Sequence, residues 1–482
     1  MISSWYSLDD FFAAWRAAQP LTLTRYVDYI MAAQGFTQGS IKRHVMKLSS
    51  VMIVGFLAMT LGSLVEVFYL GMVGKLELAA IAFAFPLVMA LNGIIRGLGV
   101  GAASLIARSM GEGHREQAAL LVTHCYLLII GFAVSFSLAG QFLADDLFRL
   151  IGARGEVLAL ASGYAHIWLL GFPLMGFALA SNGLIRAFGN ATYPGYIMTI
   201  GPLVQVLLGP ILIFGWFGLP AMGLQGAALT FVMSAFCQFL LALYWFLIKE
   251  RLMRLTFEGL MASMTGILQV GIPASATNLI QPVSAGVVTW LLAGYGVSVV
   301  AGFGVASRIE SVVGMVVIGI STSVVPLVGQ NWGAYQFDRV REALNTCYQA
   351  CLAWGVVAAI IMWIGAPFFV SLINADPDLV ESAVMFLYII PISIGFMGML
   401  TVSTHCFNAL RRPGPALLLS LARLLVIYIP LALLGSHYWG YVGVFVATAA
   451  TNVLVGVLGY AWNRKVLATE QASMIASRAL SL

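Results

Sequence analysis

The chain reads as an all-α polytopic membrane protein, with twelve transmembrane helices in two pseudo-symmetric six-helix bundles around a central cleft. Three observations predict this. Hydrophobic residues make up 61% of the 482 and charged residues 9%, where a soluble domain carries about 25% charged. Twelve apolar segments follow one another, each long enough to cross a bilayer as a helix. The second six repeat features of the first at a fixed offset of 222 residues.

The segments lie near 49–71, 79–106, 119–142, 158–181, 194–217, 223–247, 265–293, 299–327, 346–373, 382–408, 414–434 and 441–462. Pro86, Pro202, Pro210, Pro273, Pro282 and Pro391 fall inside them, as membrane helices tolerate. The domain plan is an N-terminal extension 1–47, an N-lobe 48–248, a linker 249–264, a C-lobe 265–465 and a tail 466–482. In the extension, Phe11, Phe12 and Trp15 beside Arg16 have the composition of a short interfacial helix. A loosely held tail, or an extension ahead of a start at Met46, fits the same residues. No cleavable signal peptide is evident, because no clean apolar run follows a basic start.

Lys and Arg set the orientation. Of the 24, 18 fall in the extension and tail or in connections on the same side as them; 3 (Lys75, Arg149, Arg154) fall on the other side. The remainder, Arg96, Arg308 and Arg423, lie within segments. This bias predicts a multi-pass protein of the cell (inner) membrane with both termini cytoplasmic, and it supports an even number of spans. The net charge of +5 belongs to these loops and implies no nucleic-acid partner. The five cysteines sit in or beside apolar segments without His or acidic clusters, so neither a disulfide framework nor a metal site is expected.

The repeat is legible residue by residue. Gly111 pairs with Gly333, Gly74 with Gly296, Ala79 with Ala301 and Ala187 with Ala409. Six spans per repeat is an even number, so the two halves share one topology, related by an axis along the membrane normal. Two such bundles with a cleft between them is a transporter plan.

Glu66 is the one charged residue of the first segment. An ionised carboxylate at the centre of a membrane helix costs roughly 2.5–3.5 kcal/mol on insertion scales. A partner, a water-filled cavity or a bound proton removes that cost. Gly62, Glu66 and Tyr69 share a helix face, small and polar, as expected where a helix lines a cavity. Asn278 and Gln281 share a face of the seventh segment and are candidate substrate contacts with Tyr69. Glu310, in the eighth, either faces the cleft and attracts cations or pairs with another helix. His124, His166 and His405 are single and read as satisfied core groups. Gly97-x-Gly99-x-Gly101 has no strand before it, so it is no dinucleotide motif. No P-loop is present, which leaves ATP-driven pumping without support.

The chain resembles the multidrug and toxic compound extrusion (MATE) transporters over roughly residues 46–465. The likeness rests on Val65-Glu66-Val67 with Gly71 to Gly74, on Ala107-Arg108-Ser109-Met110-Gly111 and its partner Gly329 to Gly333, and on Leu184 to Asn190. It rests also on Gly223 to Leu229 and on Gly271-Ile-Pro273. The resemblance implies two six-helix lobes around a V-shaped cleft and export of cationic or amphipathic organic compounds against an inward proton or sodium flow. Glu66 matches the family's first-span acid. Where one branch has Asn and Asp in the fifth span, this chain has Gln205 and Gly209, so the second N-lobe carboxylate is missing. The seventh-span Glu of another branch falls on Gln281. Its tenth-span Asp has no counterpart, since no acid lies between Ala383 and Pro413.

A lone carboxylate with Gln205 is a thin sodium shell, and a single acid in an apolar cleft suits proton pickup and release. The expectation is therefore a monomeric, proton-coupled antiporter with no bound cofactor and the lipid bilayer and small organic molecules as partners; sodium coupling is the alternative. A lipid-linked substrate flippase is a second carrier reading. A membrane-embedded enzyme would need acidic or His clusters at a membrane face, and none stands out.

Overall fold

Backbone groups in hydrocarbon must be paired within the chain, and helices do this from end to end here. The computed structural model describes residues 35–253, 256–373 and 376–481. The N-lobe comprises α1 (Ile41–Val73), α2 (Lys75–Gly111), α3 (Arg115–Leu150), α4 (Gly155–Ala187), α5 (Thr192–Phe214) and α6 (Gly223–Tyr244). The C-lobe opens with α7 (Leu260–Ala293), α8 (Val297–Thr322, continued by Val324–Gly333) and α9 (Phe337–Ser371). α10 has two pieces, Pro377–Ile389 and Pro391–Ala409, bent by 51° where Pro391 has no N–H to continue the ladder.

The apolar run Pro413–Ala476 holds 64 residues, roughly 95 Å of helix and twice a bilayer's thickness. It is two spans. The chain turns at Trp439 and Gly440, where Gly440 has φ 59° and ψ −144°, a conformation that a side chain disfavours. We call the part from Pro413 to this turn α11 and the part after it, 441–481, α12. The turns give twelve spans among the described residues.

The repeat is present in side-chain chemistry as well as sequence. Tyr126 Oη lies 2.7 Å from Ser181 Oγ, and Tyr348 Oη, 222 residues on, lies 2.9 Å from Ser403 Oγ. The backbone turns after α2 and α8 match too: His114 N donates to Ser109 O and Gln336 N to Asn331 O, both at 2.8 Å. In the N-lobe, α1, α5, α6, α4 and α2 form an arc with α3 behind it; α7, α11, α12, α10 and α8 form the second arc, backed by α9.

The lobes meet along α2–α7 and α1–α8. Small residues allow the approach. A Cβ on Gly97 would strike Ser275, one on Gly101 the backbone of Ile267 and Gly271, and one on Gly319 the side chain of Ile53. Ser275 Oγ lies 3.0 Å from Ile94 O across this seam, and Asn278 Nδ2 donates to Gly93 O at 3.2 Å. Every interlobe hydrogen bond among the described residues lies between the end that carries residues 35–47 and mid-helix. Toward the other end no hydrogen bond among the described residues ties the two lobes. The cleft opens there.

The expected boundary at residue 47 falls inside α1. Ile41, Val45, Leu48 and Met52 form a buried stripe at helical spacing, and the first three pack into the C-lobe core with Phe36. A clasp holds the segment ahead of them. Phe36 N donates to Gln330 Oε1 at 2.7 Å, Asn331 Nδ2 donates to Phe36 O at 3.2 Å, and Arg339 donates to Phe36 O and Gly39 O at 3.0 and 2.9 Å. Gln330 Nε2 also donates to Ala187 O at 2.7 Å, so one buried amide ties both lobes to the N-terminal segment. Phe11, Phe12, Trp15 and Arg16 lie outside the described residues. At the other boundaries α7 begins at Leu260, inside the expected linker, and helix continues through the expected tail to Ser481.

Gln330→Ala would strand the Phe36 N–H and the Ala187 C=O, at about 1–3 kcal/mol for each buried group left unpaired. We expect a lower thermal unfolding midpoint for the detergent-solubilised protein and easier cross-lobe opening at this end. An unchanged midpoint would show that the clasp contributes nothing.

Candidate functional site

α1 turns its small face into the N-lobe. A Cβ on Gly62 would press on Pro202 of α5, so the two helices touch there. One turn on, half-buried Glu66 lines a small cavity with Tyr69, Gln205, Gly209, Ile213, Ala227 and Thr230. Tyr69 donates to Val206 O at 3.3 Å and stands edge-on to Phe214, ring centroids 5.9 Å apart. Glu66 has no ion pair among the described residues. The expected group Glu66, Tyr69 and Gln205 is therefore brought together.

Gly209, where one family branch carries its second acid, has a packing reason. A Cβ there would come 2.9 Å from the Tyr69 ring, so the aromatic occupies the space that a carboxylate would need. Thr230 escaped sequence reasoning. Its hydroxyl donates to Gly226 O at 2.8 Å, leaving lone pairs for the cavity. The signal was available: Thr230 stands in the 222-residue register with Asn452.

Asn278 and Glu310 lie elsewhere. Asn278 is exposed and sits on the α2–α7 seam. The side chain of Gln281, on α7, lies outside the described residues. Half-buried Glu310 faces into the C-lobe and interacts electrostatically with Arg423. Arg423 Nη2 donates to Asn452 Oδ1 at 2.9 Å, and Asn452 Nδ2 to Ser393 Oγ at 3.0 Å. This network joins α8, α11, α12 and α10. Arg423 is thus held by a side-chain amide.

Cationic groups line the cleft. On α2, Gly93 and Gly97 pack on α7, while Ile95 and Gly99 pack on α4; the exposed Arg96 points into the wedge between those faces. On α8, Met315 contacts Thr60 of α1. Ser311 and Arg308 continue that row by one and two turns toward the open end, and both are exposed. At the closed end, Arg186 Nη1 lies 3.1 Å from Met52 Sδ of α1, and the guanidinium interacts with His405 of the opposite lobe. His405 Nδ1 lies 2.8 Å from Thr401 O, a contact that needs the proton on Nδ1. His124 bonds to Thr256 O at 3.0 Å. Glu66 and Glu310, by contrast, are turned into their lobes. Spacing alone does not say which helix face meets the other lobe, so the cleft position of these arginines was not legible in the sequence.

Comparison with known proteins agrees with this architecture. The MatE family profile matches residues 52–211 and 273–434, one stretch per lobe in the repeat register. A protein of Shewanella oneidensis named FAD transporter is 31% identical over 429 residues, covering 88% of this chain and 95% of its own length. The probable multidrug resistance protein YoeA of Bacillus subtilis is 24% identical over 89% of this chain and 96% of its own. The crystal structure of the Vibrio cholerae MATE transporter VcmN in its bent form superposes with a TM-score of 0.85 at 26% identity, over 90% of this chain and 98% of that one. The chain is not an enzyme but a membrane transporter of small compounds, and it belongs to the MatE family, the multidrug and toxic compound extrusion transporters.

Proposed function

We propose that the chain is a secondary antiporter that exports an amphipathic organic compound in exchange for protons by alternating access, with Glu66 carrying the exchanged proton. The observation that carries this is the N-lobe cavity, where Glu66 faces Gln205 and Thr230 with no Lys or Arg side chain paired to it among the described residues. One carboxylate, one amide and one hydroxyl make a poor cage for sodium and a sufficient one for a proton. Protonation removes the burial cost of the charge, so α1 repacks on α5 and the lobes rock about the seam. On the reading that the Lys and Arg bias of the loops marks the cytoplasmic side, residues 35–47 face the cytoplasm and the cleft opens outward.

Of the two expected cargo classes, the amphipath is kept and the organic cation set second. Arg96, Arg186 and Arg308 on the cleft surface repel a cation and attract an anionic group. The name of the Shewanella relative, FAD transporter, supports a cargo of the same kind, an aromatic dinucleotide with a pyrophosphate. Proton and cargo need not share one carboxylate: Glu66 excludes the cargo through the position of α1. A lipid-linked pyrophosphate, the flippase reading, has the same anionic chemistry and a different tail.

Reconstituted vesicles with separately imposed pH and sodium gradients test this. We expect pH-driven uptake of FAD, with a cationic dye carried poorly. Arg308→Ala and Arg96→Ala should each weaken FAD transport by about tenfold or more, the loss of one charge-assisted hydrogen bond. Transport that follows sodium and ignores pH would sink the proton assignment. Dye transport that outruns FAD would sink the cargo assignment.

A further inference from the structure

The two lobes carry matched cavities of opposite polarity. The N-lobe cavity, among α1, α5 and α6, is lined by Glu66 and Thr230. The C-lobe cavity, among α7, α11 and α12, is lined by Val288 and Asn452, their partners 222 residues on. Where the N-lobe has an acid, the C-lobe has an apolar side chain, and a guanidinium enters from another helix. Arg423 comes from Ala422–Tyr428, a π-helical turn of α11; such turns recur at functional sites. α5, its repeat partner, is α-helical throughout.

The C-lobe cavity is lined with unused hydrogen-bond donors. Arginine has five N–H groups, and the one hydrogen bond of Arg423 among the described residues goes to Asn452 Oδ1. Thr451 is 1% exposed, lines the cavity, and its hydroxyl has no partner. The hydroxyl of Tyr428, 5% exposed, lines the same cavity and interacts with the side chain of Thr448. Buried polar groups left unmade are costly, so donors converging on space around a cation call for an acceptor with negative charge. Glu310, from α8, is the charge set against Arg423. The space takes a few waters or one small anion.

We propose that the C-lobe cavity binds an anion, held by Arg423, Tyr428 and Thr451. The chemistry is that of a chloride ion or of the oxygens of one phosphoryl group. Where that phosphoryl group is the cargo's own, the inference rests on the anionic-cargo reading; a free anion makes it independent of that reading.

The test uses the full chain in detergent, in gluconate buffer, with the unfolding midpoint followed as chloride or inorganic phosphate is added. The wild type should show a saturable rise with at least one of the two anions. Arg423→Gln should abolish it. Tyr428→Phe and Thr451→Val should each weaken the apparent Kd several-fold to about tenfold, and Glu310→Gln should tighten it. Should Arg423→Gln not fold, the other three variants carry the test. FAD that shifts the anion titration in competition assigns the site to the cargo; FAD without effect assigns it to a free anion, and the site stands in both cases. A midpoint indifferent to anions, or titrations identical in all variants, would overturn the proposal.

Discussion

Glu66→Gln should abolish gradient-driven export and leave a folded, inserted protein. Glutamine keeps the length and shape of the side chain and much of its hydrogen bonding, and removes the titration. The contacts that seat α1 do not involve the carboxylate: Gly62 against Pro202 and Tyr69 against Phe214. The neutral amide resembles the protonated carboxyl at all times, so α1 has nothing to respond to when pH changes. Inverted vesicles with an imposed pH gradient should therefore show transport at the level of vesicles lacking the protein, with an unfolding midpoint close to wild type. Glu310→Gln should be milder, since Glu310 is balanced by Arg423 in a network outside the N-lobe cavity. Gradient-driven transport at the wild-type rate by Glu66→Gln would remove Glu66 from the mechanism.

Gly97→Val forces the closed seam apart. The first added carbon meets the Oγ, N and Cα of Ser275 together, and two of these are backbone, so no side-chain rotation relieves the clash. Ser275 is fixed by hydrogen bonds to Ile94 O and Gly271 O, 3.0 and 2.8 Å away. Overpacking of this kind costs about 1–3 kcal/mol, which as a bias between two states is about 5–150-fold in population. Spin labels at Met72 and Trp290, exposed toward the open end, should move closer as the seam opens and the lobes rock. Transport should fall about tenfold or more, because one state is depleted. Gly131→Ala, where a Cβ has nothing within 4 Å, serves as the control. A distance distribution unchanged by Gly97→Val would mean that the seam tolerates the added bulk.

Much of this molecule is written in short-range spacing. The face of α1 shared by Gly62, Glu66 and Tyr69 follows from helical geometry, and the repeat register follows from comparing one half with the other. The Tyr126–Ser181 and Tyr348–Ser403 pairs were legible in principle by the same comparison. What spacing does not encode is which face of a helix meets a partner hundreds of residues away. Arg308 reads as one more charge until Met315 is seen against Thr60. Glu310 reads equally as a cleft acid or as the partner of another helix until Arg423 arrives from α11. Gly209 reads as a lost ligand until the Tyr69 ring is seen against it. Phe36 through Gly39 read as a tail because nothing local says that Gln330, Asn331 and Arg339 wait for them.

The clasp made by that segment bears on how the protein rests. Its four hydrogen bonds to Gln330, Asn331 and Arg339 fasten residues 35–39 to the C-lobe, and the bond from Gln330 to Ala187 O fastens that assembly to the N-lobe. A state that parts the lobes at this end gives up the Gln330–Ala187 bond, at about 0.5–1.5 kcal/mol. The first five described residues thus act as a latch: they set where the carrier idles between turnovers and leave the net free energy of a full cycle untouched.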